Sequence, residues 1–201
     1  MLLSEQKDFI REHYAETFGV NSDDFLIYPA HEDDEIDIDI ICIKPTKDRN
    51  YYVLATCGMC QYVMEEPTTQ LIELVMFLPA DWRVEDKRDE WTWPVKLLIN
   101  LAYTPFYTGE NISFGTVLTL TDDNEPFTKG TKNCGAIITF PENLSEEFFE
   151  VKTDTDEIIR FFAAVPITKD DIEKMQENGL DKFIKFDLRN ADGPDLIVKK
   201  R

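Results

Sequence analysis

The sequence is poor in the residues from which most active centres are built. Its 201 residues include two histidines, four cysteines and eight glycines, and 21 Lys and Arg stand against 40 Asp and Glu. His13 and His31 are neither paired with each other nor close to a cysteine pair. A Gly-rich phosphate loop, a Gly-x-Ser-x-Gly elbow and a His-Glu-x-x-His helix are all missing, which removes the commonest hydrolase and nucleotide-binding readings. The shortage of cations leaves a formal net charge of −19. Such a surface repels nucleic acid and anionic membranes and speeds encounter with a cationic partner. Apolar runs are short as well, and none approaches the roughly 18 residues needed to span a bilayer. After Met1 and two leucines come Ser4, Glu5, Gln6, Lys7 and Asp8, so no apolar signal core follows the start. A cytoplasmic protein with reduced thiols is expected, and the sequons at Asn111 and Asn143 are then chance matches.

Cys57 and Cys60 form a Cys-x-x-Cys pair, whereas Cys42 and Cys134 stand alone. A structural zinc site uses four Cys or His ligands, commonly as two close pairs, and the second pair is absent. A thioredoxin-like motif needs a helix after the pair. Here Tyr62–Pro67 is too short for one before Pro67. Two small buried thiols in a turn is the simpler reading, and neither a metal nor another cofactor is expected.

What is present is a core's worth of apolar residues, 43% of the chain, with a clear order. Residues 4–18 place Phe9, Ile10, His13, Tyr14 and Phe18 at helical spacing before Gly19. Strands are expected at 25–28, 36–43, 51–56 and 71–78. In the second of these, Asp37 and Asp39 alternate with Ile36, Ile38 and Ile40, which places the acids on a wet face. Pro94 opens a helix carrying Val95, Leu98, Leu101 and Ala102 on its apolar stripe. Further strands are expected at 117–120, 136–140, 148–151 and 158–165, the last ending at Pro166. Thr168 with Asp171 reads as a capping box for a helix whose Ile172 and Met175 face inward. Gly179 ends that helix, a short second one follows, and residues 189–201 form a polar tail. The order α-β-β-β-β-α-β-β-β-β-α-α fits a single α+β domain spanning 1–201, with a largely antiparallel or mixed sheet and helices packed on one side.

Several stretches in this order resemble the suppressor-of-fused family over roughly residues 25–188. They are the turn Thr56-Cys-Gly-Met59, Pro67, the strand Glu73-Leu-Val-Met-Phe-Leu-Pro79 with Trp82 after it, Trp93-Pro94 leading to Leu101-Ala102, the run from Pro126 to Pro141, and the C-terminal strand and helix with Glu173 and Gly179. Bacterial members often carry Arg-Tyr and Gly-His-Thr where this chain has Tyr103-Thr104 and Gly115-Thr116. The resemblance implies a binding role and not catalysis, with Gly58 defining the turn and the cysteines incidental. Bacterial single-domain members are linked with toxin systems, so it implies a cytoplasmic immunity protein that neutralises a cognate, cationic toxin such as a nuclease. An interaction scaffold sequestering an endogenous regulator, such as a transcription factor, is the alternative. No contact with nucleic acid or membrane is expected.

Two stretches offer themselves as partner-binding residues. One is the acidic run containing Glu32, Asp33, Asp34, Glu35, Asp37 and Asp39, whose simpler reading is a solvated loop entering an edge strand. It lacks the spacing of an EF-hand loop. The other is Trp82, Trp91 and Trp93, which flank a charged loop and fit either interface anchors or caps on the core. A second acidic region runs from Glu142 to Glu157. His13 reads as a packed core residue.

Overall fold

A computed structural model of the chain describes residues 3–29, 37–63, 71–121, 123–190, 193–194 and 196–198. Helix α1 (Leu3–Phe18) precedes strands β1 (Leu26–Tyr28), β2 (Asp39–Ile43), β3 (Tyr51–Cys57) and β4 (Leu71–Pro79). Helix α2 (Asp89–Thr108) leads to β5 (Val117–Thr119), β6 (Asn133–Thr139), β7 (Glu150–Lys152) and β8 (Ile158–Thr168). Helix α3 (Lys169–Asn178) follows, then a helical turn Leu180–Lys182 that widens into a π-helical turn, Phe183–Asp187. Strands β9 (Arg189–Asn190) and β10 (Gly193–Pro194) make a small ribbon. The architecture is α+β.

One eight-stranded sheet organises the molecule, in the order β1-β2-β3-β4-β8-β6-β5, with β7 also paired to β8. Its pairs are antiparallel except β4 with β8, which run parallel from Leu71↔Ile159 to Val75↔Ala163. Alternate residues of each central strand enter different cores. Ile41, Val53, Val75 and Phe161 join Ile10, Tyr14 and Phe18 of α1 on one face. Ile40, Leu54, Leu74 and Phe162 join Leu97, Leu98 and Leu101 of α2 on the other.

The helices therefore cover both faces rather than one. The cause is visible in β2 and in β4, where five and eight consecutive residues are buried. Strands that are apolar on both sides need cover on both sides. The face carrying Asp39 is accordingly not wet but lies under α1, and β2 is not an edge strand, since β1 lies outside it.

Three boundaries depart from the sequence pattern. Helix α2 begins at Asp89, so Pro94 is its sixth residue. Asp89 and Glu90 fill its first turn, and Lys96 bonds Asp89 at 2.7 Å. Strand β8 passes through Pro166 to Thr168. The ladder to β4 has ended at Ala163, so only the β6 side is paired there and the missing N–H is tolerated. The C-terminal stretch is less polar in use than in composition. Leu196 and Val198 are buried, and the Val198 N–H donates to the Phe77 carbonyl at 2.9 Å. That contact covers the edge of β4 that β8 leaves open beyond Val75. The capping box on α3 forms as its sequence indicates, with Thr168 and Asp171 each accepting the other's backbone N–H.

Candidate partner-binding surfaces

The β3–β4 ladder stops at Ala55↔Val75, and a side-chain network takes over where it ends. Thr56 Oγ1 accepts the Leu74 N–H at 2.8 Å and donates to Glu73 Oε2 at 2.5 Å. Glu73 Oε1 accepts from the N–H groups of Gly58 and Cys60 at 3.0 and 3.1 Å. Tyr14 of α1 closes the network by donating to the Thr56 carbonyl at 2.9 Å. The Thr56–Met59 turn and the Glu73 strand are thus one unit, a fully buried carboxylate holding the backbone of a turn. Burial pushes the Glu73 carboxyl above its ordinary range, against the opposing effect of these hydrogen bonds. Gly58 sits at φ +112°, and a Cβ there would lie 2.5 Å from the Asp37 carbonyl oxygen. Cys57 and Cys60 are free and buried, and burial drives both thiols far above the range in which they would ionise. They are structural residues of the turn.

The acidic run is only partly in view. Glu32, Asp33, Asp34 and Glu35 lie outside the described residues, as does His31. Asp37 and Asp39 belong to an ion cluster with α1. Lys7 bonds both carboxylates, at 3.1 Å to Asp39, and Arg11 bonds Asp39 at 3.0 Å. The Asp39 side chain is 10% exposed and that of Asp37 55% exposed. Asp39 therefore fastens α1 to the sheet, and the Asp37 side chain is open to solvent beside it. His13 packs against Phe148 and Phe161 at 5.3 and 4.6 Å between ring centroids, and burial lowers its imidazole below the usual value.

The tryptophans divide in a similar way. Trp82 and Trp93 are buried, edge-to-face at 5.9 Å, and Trp82 Nε1 donates to the Trp91 carbonyl at 2.9 Å. Trp91 stays half-buried, with Arg83 over its ring at 5.2 Å. A cavity of about 190 Å³ lies among Tyr28, Leu54, Leu78, Trp82, Trp91 and Val95. A more open cleft of about 370 Å³ lies between Trp93, Leu97 and Asn100 of α2 and Leu120, Phe127 and Thr128. The exposure of Phe114 and Phe140 was not expected from the sequence. Phe114 and Phe140 are 42% and 37% exposed, and both look like core residues by composition alone. Among the described residues no group of three or more His, Cys, Asp and Glu is placed to hold a metal, and no helix is long and apolar enough to cross a membrane.

A mixed sheet covered on both faces, with a turn held by a buried carboxylate, defines a domain of α+β class. The model of the family described as suppressor of fused protein (SUFU) matches residues 34–201, and the chain belongs to that family, whose domains are protein-interaction modules. No match is found among the curated proteins. Among solved structures, a SUFU homologue from Neisseria gonorrhoeae FA 1090 is 15% identical with a TM-score of 0.63, over 92% of this chain and 90% of that one. A chain of the Sufu–Fu complex is 16% identical with a TM-score of 0.65, over 98% and 91%. Drosophila Suppressor of Fused is 17% identical with a TM-score of 0.60, and there 96% of this chain covers 49% of the longer protein. At these identities the likeness is one of fold.

Proposed function

We propose that this chain is a cytoplasmic immunity protein that binds a cognate toxin and blocks it stoichiometrically. The observation that carries the reading is a net charge of −19 on a domain of a protein-interaction family. An acidic inhibitor can occupy the cationic surface that a nuclease presents to phosphates, and its charge steers the encounter. Glu32, Asp33, Asp34 and Glu35, with Asp37 at their exit, are the proposed contacts, together with the half-buried Trp91 as an apolar anchor. Asp39, Trp82 and Trp93 contribute by holding the fold. No catalytic role is assigned: His13 is packed among aromatic rings, and burial pushes the Cys57 and Cys60 thiols up, away from the ionised form.

The Sufu–Fu complex supports a second reading, in which the partner is an endogenous regulator held by a scaffold. Co-expression with neighbouring gene products, followed by affinity capture and mass spectrometry, separates the two. Recovery of one toxin domain at one-to-one stoichiometry, with loss of its toxicity, is the expected result. Recovery of a transcription regulator in its place would transfer the conclusion to the scaffold.

A further inference from the structure

Phe114, Phe140 and Phe149 stack on one another at the surface. Ring centroids of Phe114 and Phe140 are 4.8 Å apart at 22°, and those of Phe140 and Phe149 are 5.6 Å apart at 7°. Each ring comes from a separate segment that the fold fixes. Phe140 follows the last residue of β6 and rests on buried Phe162, 5.7 Å away. The Phe114 loop is tied to β6 by two backbone bonds, Gly115 N–H to Ile138 O at 2.8 Å and Ile138 N–H to Thr116 O at 2.9 Å. Phe149 sits between a 3₁₀ turn, Glu146–Phe148, and β7. The stack is therefore built before any partner arrives.

The segment that carries two of its rings is acidic. Residues 140–150 carry Glu142, Glu146, Glu147 and Glu150 and no lysine or arginine. Arg189 pairs with Glu142 and Arg160 with Glu150 at the margins, while Glu146 and Glu147 are exposed. Elsewhere the protein places its own cations over aromatic rings: Arg49 over Phe18 and Tyr51, Arg83 over Trp91, and Lys185 over Phe186. Among the described residues none lies over the three stacked phenylalanines. Ring faces attract cations, and carboxylates beside them add to that field.

We infer that this stack is a docking site for an arginine-bearing segment of a protein partner. The guanidinium lies against the exposed rings of Phe114 and Phe140 while neighbouring glutamates accept its N–H groups. Arginine fits better than lysine because its planar head stacks and donates in the plane at once. The inference rests on the cationic partner proposed above and adds a second set of contact residues.

The test is a titration of ¹⁵N-labelled protein with the peptide acetyl-Gly-Arg-Gly-Gly-Arg-Gly-amide and its lysine counterpart of equal charge. Amide shifts should concentrate at residues 113–117 and 139–150, with the arginine peptide bound more tightly. Phe114→Leu and Phe140→Leu keep apolar bulk but remove the ring face, and each should weaken the arginine peptide about two- to fivefold. If either disturbs the spectrum elsewhere, the exposed pair Glu146→Gln and Glu147→Gln carries the same expectation. Equal affinity for both peptides, unmoved by these substitutions, would show attraction to diffuse charge and overturn the site. A captured cationic partner held equally well by wild type and both leucine variants would also overturn it, leaving the proposed function standing. Failure to capture any partner, with the peptide results as expected, would sink the function and leave the site.

Discussion

Glu73 and Gly58 show how much of a fold can hang on single residues. Glu73→Ala would strand the buried donors of Thr56, Gly58 and Cys60, each costing about 1 kcal/mol or more, so a loss of about 3 kcal/mol or more is expected by urea unfolding. Gly58→Ala combines a disfavoured φ with a contact that backbone must relieve, and should cost about 2 kcal/mol or more. His13 and Glu73 tilt stability in opposite directions with pH. His13, lowered by burial, takes up a proton in the unfolded chain before the folded one. Its contribution is therefore complete above about pH 6.5 and is lost as pH falls from there through the lowered value of the folded state. Glu73, raised by burial, is least costly at and below the ordinary carboxylate range, and stability falls as pH rises through the window above it. Unfolding curves between pH 4 and 8 should therefore show that His13→Phe reduces the loss of stability below about pH 6.5, and that Glu73→Gln removes the decline that sets in above the ordinary carboxylate range. Parallel curves for wild type and both variants would refute the assignment.

At the scale of elements, α1 depends on the Lys7–Asp39–Arg11 cluster for its seat on the sheet. Asp39→Ala leaves Lys7, 7% exposed at its side chain, with Asp37 alone and takes from Arg11 its buried carboxylate, and a loss of about 1–3 kcal/mol is expected. Hydrogen exchange should rise first in the amides of α1, with the β3–β4 ladder protected longest. Thr168→Ala removes the cap of α3 and should cost about 1 kcal/mol, read from the shift of the urea midpoint.

These elements also mark what the sequence could and could not tell. The eight sheet strands and the capping box were legible because periodicity and capping are local. That α1 and α2 lie on different faces was not, since alternation on β2 names two faces without saying which is covered. Asp39 is the instructive residue: its alternation with Ile38 and Ile40 was read correctly, but a wet face could be distinguished from one under α1 only by knowing where Lys7 and Arg11 lie. Pro166 misled because proline marks a boundary only where its N–H would have been used, and Pro94 misled because it lies inside α2, one turn past the true start at Asp89. Phe114 and Phe140 carry no local sign of exposure, because a ring beside a turn and a ring in a core are the same residue to a pattern. Trp82 and Trp93, read as anchors or caps, pack against each other through contacts that spacing alone does not specify.

For the whole molecule the governing quantity is charge. If the partner is cationic, association should slow as salt rises, since the screening length shrinks to about 8 Å near physiological ionic strength. Stopped-flow rates at 20 and 300 mM salt check this, and a salt-independent rate would refute electrostatic steering. Changing Asp33, Asp34 and Glu35 to lysine should lower the association rate more than it raises the dissociation rate.

The central seam of the sheet has a consequence for how the protein is made. Strand β4, buried along eight residues, pairs on one side with its neighbour β3 but on the other with β8, which begins roughly 80 residues further along the chain. At ribosomal speeds of about 5–20 residues per second, its apolar edge stays uncovered for on the order of 4–16 s after β4 emerges. During that interval the nascent chain presents the kind of surface that chaperones hold, and a chain arrested before Ile158 should be captured by them or precipitate, whereas one released after Thr168 should not.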